Sequence, residues 1–378
     1  MAPLDTAIAT RIVLSGYYGF DNSGDEAVLQ SILLALEEQG KAQGVRFVPV
    51  VLSIDPEKTS RTYGVESVHR MKLGALFRAI RSADGLISGG GSLLQDETSS
   101  KTIPYYLTVL KIAQWLGKPT FVYSQGIGPV HRPRFYRWIR TVFNRCRFLS
   151  VRDEESKQLL RRMNVAAEIA VVPDPVMGMP MAAAHQVAEP LISAAPVVGV
   201  SVRYWNEDRS ELQGLAESLR TMLDQSDAHL RFLPFHLPSD ASASQYVISL
   251  VGDRYANRIT VAADVTHPQH MLAEVGRCDM LIGMRLHSLI YAASQRVPMV
   301  GISYDPKIDQ FLSRLNMSAA ADTRTVDANA LASHALNLLA HRRSWQEEKA
   351  HLIEALKSEA HIPAQQIASF FAEGRDVR

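Results

Sequence analysis

Short apolar runs alternate with longer stretches of helical periodicity along most of this chain. Runs at residues 11–15, 47–52, 85–88, 120–124, 148–151 and 170–172 are too short for helices and rich in Val, Ile, Leu and Phe. Strands of a parallel sheet, covered on both faces, read this way. A second series follows at residues 197–204, 230–234, 260–262, 280–283 and 299–302. Between the runs apolar residues recur at helical spacing, as over residues 27–39, so the pattern predicts parallel sheets with helices on both faces. Pro173-Asp174-Pro175 and a loop-like stretch over 180–190 separate the two series. The predicted division is therefore residues 1–180, residues 191–343, and a helical tail over 344–378 placed to cross back to the first domain.

Several strands end in punctuation. The first runs into Gly16-Tyr17-Tyr18-Gly19-Phe20-Asp21-Asn22-Ser23-Gly24-Asp25-Glu26, the third into Gly89-Gly90-Gly91-Ser92, the fourth into Gln125-Gly126-Ile127-Gly128-Pro129. Strand carboxyl ends of a parallel sheet share one rim, and Gly-rich rims let ligands approach backbone. The run Ala83-Asp84-Gly85-Leu86-Ile87-Ser88-Gly89 has a counterpart in Cys278-Asp279-Met280-Leu281-Ile282-Gly283. Two such halves predict an α/β fold of the GT-B kind, with two doubly wound Rossmann-like domains facing a cleft.

Length and composition narrow the classes. At 378 residues the chain exceeds one ordinary core, and 47% hydrophobic residues suffice for two. No apolar run approaches the roughly 20 residues that cross a bilayer. Residues 1–10 lack the charged start and apolar stretch of a secretory signal, and only two cysteines occur, so a reducing cytoplasm is expected. A net charge of +1 argues against a nucleic-acid partner. No His/Asp cluster of metal-binding type stands out, and no metal is expected. One segment is locally basic, from His131-Arg132-Pro133-Arg134 to Arg147, with Phe135, Trp138, Ile139, Val142 and Phe143 at helical spacing. It reads either as a helix packed on its own sheet or as a face resting on an anionic membrane or lipid-linked substrate.

The most informative motif is Met284-Arg285-Leu286-His287-Ser288, where a strand gives way to a helix. Helix N-termini present free N–H groups to anions, and arginine grips carboxylate or phosphate with paired hydrogen bonds. His287 can donate a hydrogen bond or a proton. The plain alternatives are an ion pair for Arg285 with a neighbouring helix and a capping role for His287. Asp25 reads as the cap of the helix over 27–39 or as a catalytic group. His236, in Phe235-His236-Leu237-Pro238-Ser239-Asp240, follows another strand end, as does Lys307 in Ser303-Tyr304-Asp305-Pro306-Lys307.

Taken in order, the Gly16–Phe20 and Asn22–Glu26 motifs, Ser88-Gly89-Gly90-Gly91-Ser92, Gln125-Gly126-Ile127-Gly128-Pro129, Ser150-Val151-Arg152-Asp153 and Met284–Ser288 resemble the polysaccharide pyruvyl transferase family, in particular its CsaB-type members. The resemblance implies transfer of the enolpyruvyl unit of phosphoenolpyruvate onto a sugar, leaving a pyruvate ketal. For CsaB-type members it implies a lipid-linked, N-acetylmannosamine-containing precursor of a secondary cell-wall polymer that anchors surface-layer proteins. No cofactor beyond the donor substrate is implied.

That chemistry needs at least two fixed cations for a carboxylate and a phosphate, a proton for the methylene carbon, and a base for an acceptor hydroxyl. Arg203 and Arg285 are the expected donor cations, with Leu286, Lys307, Gly90 and Gly91 also on the substrate side. His287, Asp25 and His236 are the expected catalytic groups. A phosphate dianion beside a histidine favours its protonated form, which makes His287 the first choice for phosphate contact and proton delivery. Two other functions fit the same fold: a nucleotide-sugar glycosyltransferase, and a non-catalytic phosphosugar-binding module.

Overall fold

Both series of apolar runs form parallel sheets, and each sheet carries its own core. The computed structural model describes residues 9–97, 99–181 and 195–374. The chain divides into two units, one of residues 1–179 with 356–378 and the other of residues 180–355. Residues 182–190 of the predicted boundary loop lie outside the described residues, as does most of the leading segment over 1–10.

The first unit opens with β1 (Ala9–Tyr18), α1 (Ser23–Ala42), β2 (Arg46–Ser53), α2 (Pro56–Tyr63), β3 (Glu66–His69) and α3 (Leu73–Ser82). It continues with β4 (Gly85–Ser88), β5 (Gly91–Leu94), α4 (Thr102–Trp115), β6 (Thr120–Ile127), α5 (Arg134–Phe143), β7 (Phe148–Val151), α6 (Glu154–Arg162) and β8 (Ala170–Val171). The sheet order is β3-β2-β1-β4-β6-β7-β8, with β5 beside the far end of β6. Every pairing is parallel.

The second unit runs β9 (Val197–Ser201), α7 (Ser210–Gln225), β10 (His229–Phe232), α8 (Ser239–Val251), β11 (Ile259–Val261), α9 (Pro268–Gly276) and β12 (Met280–Gly283). Then come α10 (Leu286–Ser294), β13 (Met299–Ser303), α11 (Pro306–Ser313), β14 (Ala321–Asp322) and α12 (Ala328–Ala340). Its six strands lie in the order β11-β10-β9-β12-β13-β14, again all parallel. Helix α13 (Arg342–Ala360) starts in this unit, and α14 (Ile362–Glu373) belongs to the first. There Phe370 and Phe371 meet the ring of Phe121 on β6, with centroids 5.4 and 5.8 Å away.

Both sheets follow the Rossmann order, in which the chain leaves its first strand in one direction and later returns to that strand's other side. The reversal falls between β1 and β4 in one unit and between β9 and β12 in the other. Ligands of open α/β sheets bind beyond strand carboxyl ends at this switch point.

The structure corrects three local expectations. Gly91 is not the end of a turn; it begins β5, pairing with Gln125. The run at 197–204 stops being a strand at Ser201, three residues before Tyr204. The cap of α1 is Asn22, whose side chain accepts the Gly24 N–H at 3.1 Å, so Asp25 lies inside the first turn. Of the two readings of the α5 segment, packing on its own sheet holds for Phe135, Ile139, Val142 and Phe143, all buried in the core of the first unit, with Trp138 partly buried against it. What that segment presents outward is mainly its arginines, with Tyr136 and Trp138 only partly exposed.

Candidate functional site

In the second unit the loops after β9 and β12 leave the sheet level with each other. Ser201 pairs with Gly283 at the end of the ladder, and the Met284 N–H still donates to the Ser201 carbonyl at 2.8 Å. Arg203 lies two residues beyond Ser201, and Arg285 two beyond Gly283. Both guanidinium groups thus start from the switch point of this sheet. The loop after β10 supplies His236 and the start of the helix after β13 supplies Lys307, on the same rim.

Arg285 occupies the N-cap position of α10 in an extended conformation. Its guanidinium grips Asp240 in the first turn of α8 with two hydrogen bonds, the Nε bond being 3.0 Å. Asp240 is fully buried, while the Arg285 side chain keeps 20% of its surface exposed. The ion pair foreseen as the plain alternative is therefore present. It uses two of the five N–H donors of the guanidinium and sets their direction, leaving the others for an anion. Asp240 also accepts the His236 N–H at 2.9 Å, so one carboxylate positions the backbone of His236 and the head of Arg285.

Arg203 is held differently. Its Nη1 donates to the Tyr304 hydroxyl at 2.8 Å, and its guanidinium lies over the rings of Tyr304 and Trp205, 4.6 and 5.1 Å from their centroids. Trp205 remains 47% exposed. Buried Glu211 accepts the backbone N–H groups of Trp205 and Asn206 at 3.0 and 3.3 Å, which fixes the loop carrying the arginine. No carboxylate neutralises Arg203 among its described contacts.

Leu286 and His287 form the first turn of α10, both half-buried. The turn is pinned by the Ser288 hydroxyl, which donates to the Arg285 carbonyl at 2.6 Å. Lys307 opens α11, where Asp305 caps the helix by accepting the Lys307 N–H at 3.0 Å and stands 3.6 Å from its ammonium. The carboxylate partly offsets any pull of Lys307 on an anion.

The first unit builds a second cluster at its own switch point. The ring of fully buried Tyr18 fills space left by Gly16 and Gly89, where an added Cβ would lie 2.2 and 2.0 Å from Tyr18 atoms. Gly90 abuts Val28 of α1, whose side chain an added Cβ would meet at 2.9 Å. Gly91 sits at φ +85, with Asp25 Oδ1 2.8 Å from where its Cβ would be. Helix packing alone thus accounts for the smallness of Gly90, and the Asp25 contact for that of Gly91. Burial, with Asp25 nearby as the next cause, raises the Tyr18 hydroxyl well above the usual phenol value. Burial likewise raises the Glu26 carboxyl, opposed by hydrogen bonds from the Tyr63 hydroxyl and the Gly19 N–H. Replacing Gly91 with alanine forces a side chain into left-handed backbone, which costs about 1–2 kcal/mol. The expected thermal midpoint falls by roughly 2–8 °C. A calorimetric scan checks this, and an unchanged midpoint would show that position 91 relaxes freely.

Two residues escaped the sequence reading. Arg70, 6% exposed, donates to the Gly16 carbonyl at 2.8 Å and the Tyr106 hydroxyl at 3.2 Å, with its guanidinium 4.3 Å from the Tyr105 ring centroid. It ties the end of β1 to α4. Arg152, quoted only within a motif, bonds Asp153 and the Ser92 hydroxyl at 3.3 and 3.0 Å and packs over Gly126. Neither cysteine is poised to react: burial pushes both thiols up to about 12. Among the described residues no group of three or more His, Cys, Asp or Glu could hold a metal ion.

Comparison with known proteins supplies a family and a fold. The family model described as Polysaccharide pyruvyl transferase matches residues 22–306. No curated protein matches in sequence. Among solved structures, a Listeria monocytogenes protein assigned as a UDP-N-acetylglucosamine 2-epimerase is similar with a TM-score of 0.67 at 11% identity, covering 98% of each chain. A glycosyltransferase from Rickettsia africae gives 0.63 at 11%, covering 95% of this chain and 98% of that one. The UDP-GlcNAc 2-epimerase of Neisseria meningitidis bound to UDP-GlcNAc gives 0.60 at 10%, covering 96% and 100%. At these identities the likeness concerns the fold alone, which is the GT-B arrangement of two Rossmann-like domains.

Proposed function

The chain belongs to the polysaccharide pyruvyl transferase family, and from that membership we propose that it moves the enolpyruvyl unit of phosphoenolpyruvate onto a saccharide as a pyruvate ketal. The carrying observation is the pair of arginines rising level from the switch point of the second unit, Arg203 among aromatic rings and Arg285 aimed by Asp240. A donor with a carboxylate and a phosphate matches two such groups. Leu286 and His287 follow β12, and Lys307 follows β13 beside it in the sheet.

The chemistry balances without a further reactant. One acceptor hydroxyl adds across the enol double bond, its proton replaced by one delivered to the methylene carbon, which becomes a methyl group. A second hydroxyl then displaces phosphate from the former enol carbon, and its proton leaves with the phosphate. His287 is the proposed proton donor, with His236 as its rival. Asp25, in the first unit, is the proposed base toward the acceptor. A groove of about 800 Å³ in that unit, lined by Gly19, Asp55, Glu57, Ser67, His69 and Lys72, is polar enough for a sugar.

The motifs' CsaB-like character favours a lipid-linked, N-acetylmannosamine-containing cell-wall precursor as acceptor, met at the cytoplasmic face of the membrane. No helix among the described residues is long and apolar enough to cross a bilayer, so contact there would be peripheral. The test is incubation with phosphoenolpyruvate and candidate saccharides while phosphate is followed. Phosphate release that depends on a saccharide is expected. Several similar structures hold UDP or a UDP-sugar, so release of nucleotide from a nucleotide sugar instead would give the function to a glycosyltransferase.

A further inference from the structure

We infer that the exposed face of α3 docks the protein on an anionic lipid bilayer, a surface distinct from the basic α5 segment. Seven large apolar or aromatic side chains are exposed among the described residues, and three of them, Met71, Leu73 and Phe77, fall within seven consecutive positions. Their exposures are 60%, 74% and 43%. Leu73 and Phe77 are four residues apart on the helix and form one exposed ridge beside the stripe of Leu76, Ala79 and Ile80, which is buried. An apolar cluster of this kind on a surface marks an interaction site.

Charge selects the partner. Between Arg70 and Ala83 the chain has four basic residues and no acidic one, and Lys72, Arg78 and Arg81 of these are exposed. Arg81 continues the Leu73–Phe77 ridge by a further four residues, with Arg78 beside it. Glu66 shares a surface hollow with Arg78 and Arg81, yet it is already paired with Arg11 at 2.6 Å. Large apolar side chains flanked by cations are the pattern of a helix lying in a lipid headgroup layer. The α5 segment is weaker in the first half of that pattern, because Phe135, Ile139, Val142 and Phe143 are buried and Trp138 is partly so.

Position adds a reason. Lys72 and Ala75, at the start of α3, also line the groove that reaches Gly19 after β1. A sugar carried on a membrane lipid would then meet that groove beside the docked helix. This last step rests on the proposed lipid-linked acceptor; the docking itself does not.

Vesicle sedimentation of the full chain tests the inference, using phosphatidylcholine vesicles with and without phosphatidylglycerol and no donor or acceptor present. Wild type is expected to bind the anionic vesicles, more weakly at high salt. Leu73→Ser/Phe77→Ser should weaken binding by roughly ten- to a hundredfold, since it withdraws two apolar side chains. Arg78→Glu/Arg81→Glu should weaken it at least about tenfold. Both pairs are solvent-exposed, so thermal midpoints and phosphate release with a water-soluble saccharide should stay at wild-type levels. Loss of binding by Arg134→Glu/Arg137→Glu/Arg140→Glu with the α3 variants unaffected overturns the inference, as does a wild type that ignores anionic vesicles. Vesicle binding without any phosphoenolpyruvate-dependent turnover would sink the proposed reaction and leave the docking surface standing.

Discussion

Arg285→Ala should lose donor binding and fold stability together, and the two losses should be separable. Removing hydrogen bonds to a charged donor group costs about 1.5–3 kcal/mol, roughly a ten- to hundredfold rise in the donor concentration needed. The same substitution strands the fully buried Asp240 carboxylate. Breaking a buried ion pair from one side costs about 3–5 kcal/mol, because the remaining charge is uncompensated. For a unit of this size that is a fall of roughly 6–20 °C in thermal midpoint. The double variant Arg285→Ala/Asp240→Asn removes the stranded charge while its amide oxygen can still accept the His236 N–H. It should regain much of the lost stability and none of the donor affinity. Thermal melts beside kinetics at varied phosphoenolpyruvate decide the matter. Recovery of turnover in the double variant would mean that Arg285 serves only the fold.

How far the sequence reveals this protein depends on how local each signal is. Strands β4, β7 and β12 are legible to the residue, because a strand buried on both faces is a short unbroken apolar run. Strand β3, Glu-Ser-Val-His at the sheet edge, is only partly buried and carries no such run. Strand β5 hides behind three glycines that read as a turn. The buried role of Arg70 follows from β3 and was invisible with it. At the site, strand-end position alone singles out Arg203, Arg285 and His287. The Asp240 that aims Arg285 lies 45 positions away, and nothing local links the two. Asn22, Ser23 and Asp25 are all capping types, so spacing alone could not choose Asn22 as the cap of α1.

His287→Gln should lower turnover by about 10²–10⁴-fold while changing the donor requirement far less, if the imidazole delivers the proton. Its position favours that role. His287 lies in the first turn of α10, where backbone N–H groups lack helical partners and attract anions, and Arg285 immediately precedes that turn. A phosphate drawn to these groups brings the enol carbon chain along the same strand end. Glutamine retains a hydrogen-bond donor of similar reach but holds no proton it can release. Binding and catalysis therefore part company in this one substitution. Steady-state phosphate release at saturating and limiting phosphoenolpyruvate reads the two separately. His236→Gln is the companion variant, because that residue follows strand β10, on the far side of β9 in the same sheet, and its backbone is fixed by Asp240. Near-normal turnover in His287→Gln with a raised donor requirement would confine His287 to holding phosphate. Proton delivery would then pass to whichever of His236 and Lys307 shows the missing loss when replaced.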